Sequence, residues 1–148
     1  MMESVLVGVD RSDGSRRAVE FALKRARLNQ WRVTIAHVVT WSPFSLRSPE
    51  DNESRSAARR AEVARAREEV IDPVLTWAGS QDLLTGVTVA TAIRHGRPSE
   101  VLADLADQDD HGLVFVSRTG ESNLRTAIFG STASRLVQHA PVAVVVVP

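Results

Sequence analysis

Two glycine-bearing turns hold the residues of this chain best suited to gripping an anion. One is Ser117-Arg118-Thr119-Gly120; nine residues later comes Gly130-Ser131-Thr132. Glycine lets backbone N–H groups approach a ligand with no Cβ in the way. Gly130-Ser131 predicts the opening of a helix capped by Ser131, whose free N–H groups and positive dipole end favour a phosphate. The Ser131 and Thr132 hydroxyls can donate to phosphate oxygens, and Arg118 and Arg125 add charge. Asp10 ends the first apolar run, where its carboxylate suits a ribose hydroxyl or an adenine amino group. Each residue also has a plainer reading. Asp10 can cap the first helix, and Gly120 and Gly130 can be turn residues. Their spacing, and the place of Asp10 at a predicted reversal of the sheet, favour the binding reading.

Other chemistries fare worse. The chain has no cysteine, which removes disulfides, thiol nucleophiles and Cys-ligated metals. Lys24 is the only lysine, so a kinase-type Gly-x-x-x-x-Gly-Lys-Ser/Thr loop is absent. A dinucleotide Gly-x-Gly-x-x-Gly after the first strand is absent as well. The third strand ends at Arg94-His95 and no late lysine follows, which argues against a phospho-accepting receiver. No two histidines have metal-ligand spacing. His37 reads as a hydrogen-bonded core histidine, His95 and His111 as exposed turn residues, and His139 as a helix-end residue. Lys+Arg and Asp+Glu are both 18, a balance that argues against a nucleic-acid binder. No apolar run approaches the ~20 residues of a membrane span, and the expected compartment is the cytoplasm.

The elements that must position the two turns follow from periodicity. Val5 to Val9 is a short apolar run, as in a strand buried on both faces. Ser12, Asp13 and Gly14 start a helix with Val19, Ala22, Leu23 and Ala26 on one face. Val33 to Val39 is a second strand. Residues 40 to 56 read as a loop holding Trp41 and Phe44. The helix over 53–78 has a stripe of Ala57, Ala61, Ala64, Ile71, Leu75 and Ala78, and Pro73 should kink it or end it early. Its other face, with Arg59, Arg60, Arg65, Arg67, Glu68 and Glu69, reads as solvated, with i, i+4 ion pairs. Val87 to Ile93 is a third strand, half exposed by its alternating threonines. Pro98 opens a helix to about Gln108. Leu113 to Val116 is a fourth strand. A helix after Ser131 should bury Ala133, Leu136, Val137 and Ala140, and Val142 to Val147 is the last strand.

This alternation predicts an α/β fold: one domain over 1–148, an open doubly wound five-stranded parallel sheet of order 3-2-1-4-5, with helices on both faces. Ligands of such sheets bind at the carboxyl ends of the strands where the winding reverses. That point lies between the first and fourth strands, where Asp10 to Ser12 and Ser117 to Thr132 meet.

The second turn and its spacing resemble the universal stress protein signature Gly-x-x-Gly-(nine residues)-Gly-Ser/Thr through Gly120, Gly130 and Ser131. Val9-Asp10-Arg11-Ser12, Ala36-His37-Val38-Val39, Gly96-Arg97-Pro98-Ser99 and His139-Ala140-Pro141 resemble that family's flanking segments, in order along the whole chain. The resemblance implies an adenine nucleotide alpha hydrolase-like fold and a dimeric binding module for ATP or another adenine nucleotide. Asp10 and the Val38 backbone would hold the adenosine part. Ser117, Gly120, Gly130, Ser131 and Thr132 would hold ribose and phosphates, and Mg²⁺ would travel with the triphosphate without a protein ligand. One position departs from the signature: its first glycine is Ser117 here, which either adds a hydrogen bond or narrows the pocket. A family member without nucleotide, acting through protein contacts such as Trp41 and Phe44, is the alternative. Weak ATP hydrolysis is a third reading, with no general base to carry it.

The last strand carries a separate expectation. An apolar, charge-free edge needs a cover, and the simplest is the same strand of a second copy about a two-fold axis. Val142, Val144, Val145 and Val146 are the expected interface, as the resemblance also implies. The alternative is a strand covered by side chains of its own subunit.

Overall fold

The computed structural model describes residues 3–40, 52–120 and 130–148. Trp41, Phe44 and Arg125 lie outside the described residues. The strands are β1 (Ser4–Val9), β2 (Arg32–Thr40), β3 (Thr88–Gly96), β4 (Leu113–Ser117) and β5 (Ala143–Val147). All neighbours are parallel, in the order β3-β2-β1-β4-β5. This is the predicted order, and β1 lies between β2 and β4. The helices are α1 (Asp13–Asn29), α2 (Asn52–Ala66), α3 (Asp72–Ser80), α4 (Pro98–Gln108) and α5 (Ser131–His139).

Strand pleating divides the core in two. Val5, Val7 and Val9 point to the α1 side with Val19, Leu23 and Phe115. Leu6 points the other way, among Leu102, Leu105, Val114, Val116 and Leu136 of the α4–α5 side. Both faces of β1 are therefore dry, which is why its sequence is apolar without alternation. Gly8 permits this packing, since a Cβ there would meet a Leu102 methyl at 2.6 Å.

Several expectations about the helices change. Pro73 does not end the helical run. A π-helical turn at Arg67–Ile71 joins α2 to α3, and Pro73 falls in the first turn of α3. The wider turn pairs the Asp72 N–H with the Arg67 carbonyl five residues back, and a first-turn proline has no intrahelical N–H to lose. The inserted residue also rotates the buried stripe. Ala66, Val70, Ile71, Val74 and Ala78 are buried, while Ala57, Ala61 and Ala64 are exposed. On the charged face, two ion pairs cross between elements: Glu69 meets Arg11 at 2.6 Å, and Glu62 meets His95 at 2.9 Å. Finally, Val137 on α5 is 52% exposed rather than buried, because only Ala133 and Leu136 face the sheet.

His111 departs from its expected exposure. It is 4% exposed, at the end of the sheet opposite the glycine turns, with Nδ1 2.7 Å from Ser4 Oγ and Nε2 buried without a partner among the described residues. Burial lowers its pKa below the ordinary 6.5; Arg32 adds to this, and Asp109, Asp110 and the Ser4 contact oppose it. The unfolded chain then binds the proton more readily, so stability rises with pH in that range. The contribution is complete above 6.5 and is lost as pH falls from there toward the folded value. Melting at pH 7.5 and pH 5.5 should show a drop at the acid end that is smaller in His111→Gln. An equal drop in both proteins would contradict the assignment.

Candidate functional site at the reversal of the sheet

Asp10 follows the last residue of β1, and its carboxylate is held in place. Oδ1 accepts from the Ser12 backbone N–H at 2.8 Å, from the Ser12 hydroxyl, and from Ser15 Oγ at 2.9 Å. The Asp10 N–H in turn donates to Ser15 Oγ at 2.7 Å. Ser15 is buried in the first turn of α1. These bonds form a turn ahead of α1. Asp10 does not act as a side-chain cap of that helix, whose N-cap is Ser12. Oδ2 makes no hydrogen bond among the described residues and faces Gly120: a Cβ on Gly120 would lie 2.9 Å from it.

Gly120 also meets the start of α5. A Cβ on Gly130 would stand 3.1 Å from the Gly120 nitrogen and 3.4 Å from Thr119 Cα. The Gly130 N–H donates to the Arg118 carbonyl at 2.7 Å, and the Arg118 N–H donates to Val147 at 2.7 Å. The two glycine turns therefore touch backbone to backbone, with no room for a side chain between them. Asp10, Gly120 and Gly130 are brought together at the carboxyl ends of β1 and β4.

The helix opening differs from expectation in one respect. Gly130 is the N-cap, with extended backbone, and Ser131 is the first helical residue. The Gly130 amide is spent on Arg118 and is not free for an anion. The amides of Ser131, Thr132 and Ala133 are the first-turn donors without intrahelical acceptors, and among the described residues no side chain caps them. Ser131 is exposed and Thr132 partly so. Arg118 is exposed beside them.

Ser117 is the last residue of β4. Its hydroxyl donates to the Thr119 carbonyl at 2.8 Å, so its single donor is used within the turn. Its side chain lies against Gly14 of α1. Val38 is buried in β2. It stands one residue beyond the last β1–β2 pair, Val9 with His37, so no β1 residue pairs with it. His37 Nδ1 holds the Val9 carbonyl at 2.8 Å, as expected of a core histidine, and braces the strand end beside this opening. Sequence reasoning missed the roles of Ser15 and Gly14. The Asp10-Arg11-Ser12-Asp13-Gly14-Ser15 run was a signal for a bonded turn, whose hydrogen bonds lie within the run, whereas the Ser117 side chain that Gly14 accommodates is remote in sequence. Among the described residues, no cluster of His, Cys, Asp or Glu could hold a metal ion.

Comparison with known proteins agrees with this architecture. The family model described as the universal stress protein family matches residues 1–148. A curated universal stress protein of Methanocaldococcus jannaschii is 26% identical over 151 residues, covering 100% of this chain and 84% of the relative. The solved structure of universal stress protein UspA from Lactobacillus plantarum superposes with a TM-score of 0.77 at 28% identity, covering 99% and 97% of the two chains. A universal stress protein from Archaeoglobus fulgidus, solved in complex with dAMP, has a TM-score of 0.65 at 22% identity and covers 100% of this chain and 98% of its own.

Proposed function

Since this chain belongs to the universal stress protein family, we propose that it is a binding module of one domain that takes up an adenine nucleotide, with ATP as the ligand to test first. The observation that carries the reading is Gly120, wedged between Asp10 Oδ2 and Gly130 where a Cβ would collide. A backbone kept bare on both sides is what close approach to a phosphate requires, and the uncapped α5 amides stand next to it. The dAMP held by the Archaeoglobus protein supports the same chemistry for a relative of this fold.

Asp10 Oδ2 accepts from the ribose in this reading, and the Val38 backbone meets the base. Thr132, Ser131 and Arg118 take the phosphates, while Gly120 and Gly130 make the space. Ser117 shapes the turn. Mg²⁺ would accompany a triphosphate through the phosphate oxygens, with no protein ligand assigned. The surface around the bound nucleotide would then meet a protein partner in the cytoplasm. Among the described residues, no helix is long and apolar enough to cross a membrane.

The test is mass spectrometry of nucleotide released from the purified protein, together with melting in added ATP. A ligand selective for the folded state stabilises by mass action, by about 2.7 kcal/mol at a hundred times its dissociation constant. A rise in melting temperature with ATP is expected, and no released nucleotide with no shift at millimolar ATP would contradict the reading.

The second part of the proposal is a homodimer through β5. Among the described residues that strand pairs only with β4, and Val142, Val144, Val145 and Val146 remain partly exposed. An apolar edge of this kind is expected to be covered by its own copy. Light scattering should give twice the chain mass, and Val144→Asp should give the monomer. A monomeric parent protein would refute it.

A further inference from the structure

Gly14 and Ser117 occupy one space between them. Gly14 is buried in the first turn of α1. A Cβ added there would lie 2.8 Å from Ser117 Cβ, 3.0 Å from Ser117 Oγ and 3.2 Å from the Thr119 carbonyl. The first two atoms belong to a short side chain and the third to backbone, so no flexible end can swing aside. Glycine is a poor helix former, and its place in α1 is explained by the side chain that fills its gap from β4. The Ser117 hydroxyl then turns onto the Thr119 carbonyl at 2.8 Å. This bond spans the strand end and fixes the peptide that precedes Gly120. Gly120 is the residue that stands between Asp10 and Gly130.

We infer that Gly14 and Ser117 are a fitted pair that docks the anion loop onto α1, and that Ser117 is a positioning residue for the nucleotide rather than a contact to it. The part concerning nucleotide rests on the function proposed above; the fitted pair does not. Two steps link them. The serine side chain, seated in the gap left by Gly14, sets where β4 ends relative to α1. Its hydroxyl, bonded to Thr119, sets the direction in which the chain leaves the strand. A serine at 117 is thereby compatible with an open cradle, because its side chain is directed to α1 and its donor is already engaged.

A double-mutant cycle on the whole chain tests the pair without any ligand. Gly14→Ala should raise the unfolding equilibrium constant by about tenfold or more, as overpacking does. In a Ser117→Gly background the same change should cost much less, since only the Thr119 carbonyl then remains close to the added carbon. Equal effects in both backgrounds would overturn the fitted pair. Ser117→Ala separates the hydroxyl from the volume. It should keep the melting temperature within a few degrees, speed amide exchange at Thr119 and Gly120, and weaken ATP binding by about threefold to tenfold, the loss of one ordering hydrogen bond. Unchanged exchange in Ser117→Ala would overturn the positioning role. If the parent protein binds no ATP, the function proposed above fails, while the cycle and the exchange rates still decide this inference.

Discussion

Gly120→Val is expected to lower affinity for ATP by about a hundredfold or more, equivalent to about 2.8 kcal/mol, while the apo protein still folds. The reason lies in the two sides of Gly120. On one, even the first carbon of a side chain would stand 2.9 Å from Asp10 Oδ2. That carboxylate cannot simply swing away, since Oδ1 is tied to Ser12 and Ser15. On the other side, the Gly120 nitrogen is already 3.1 Å from where a Gly130 Cβ would be. A branched side chain must displace the turn into the space proposed for phosphate. The residue is partly exposed at the rim of the sheet, so the core strands keep their packing. Circular dichroism of the variant should match the parent, and equilibrium binding should show the loss. Retained affinity would mean that the ligand does not approach the chain here.

Asp10→Ala should produce two effects of different origin. Removing the carboxylate leaves the Ser12 N–H and the buried Ser15 hydroxyl without their acceptor, a loss of about 1–3 kcal/mol in stability. It also removes the acceptor proposed for the ribose, and ATP affinity should fall by at least about tenfold. Asp10→Asn separates the two. Its amide oxygen can still accept from Ser12 and Ser15, so most stability should survive, but the group facing Gly120 becomes an NH₂ donor. A ribose hydroxyl that bound to Oδ2 then loses its acceptor. The expected order of ATP affinity is parent, then Asn, then Ala, and stability should drop sharply only at Ala. Urea unfolding and ATP titration on the same three proteins check both.

The sheet was legible because each strand announces its burial. Val5 to Val9 and Val142 to Val147 are too short and too apolar for anything but strands in an α/β chain, and the threonines of β3 mark the outer position it occupies. The meeting of Asp10 with Gly120 and Gly130 was legible too, since the reversal of the winding places the ends of β1 and β4 side by side. What could not be read is what depends on atoms across the sheet. Periodicity assumes an unbroken α-helix, so the extra residue taken up by the π turn before Pro73 shifted the buried stripe from Ala57, Ala61 and Ala64 to Ala66, Val70 and Val74. Polarity suggested that His111 is exposed, but the end of α4 and Ser4 enclose it. Gly14 read only as part of a helix start, because the side chain that needs its gap, Ser117, is remote in sequence.

The most direct measurement is an amide nitrogen–proton spectrum of labelled protein titrated with ATP. Saturable shifts should gather at Ser12, Val38, Thr119, Gly120, Ser131 and Thr132, one cleft built from four chain segments. Unmoved resonances there at millimolar ATP, or shifts centred instead around His111 at the far end of the sheet, would contradict the account.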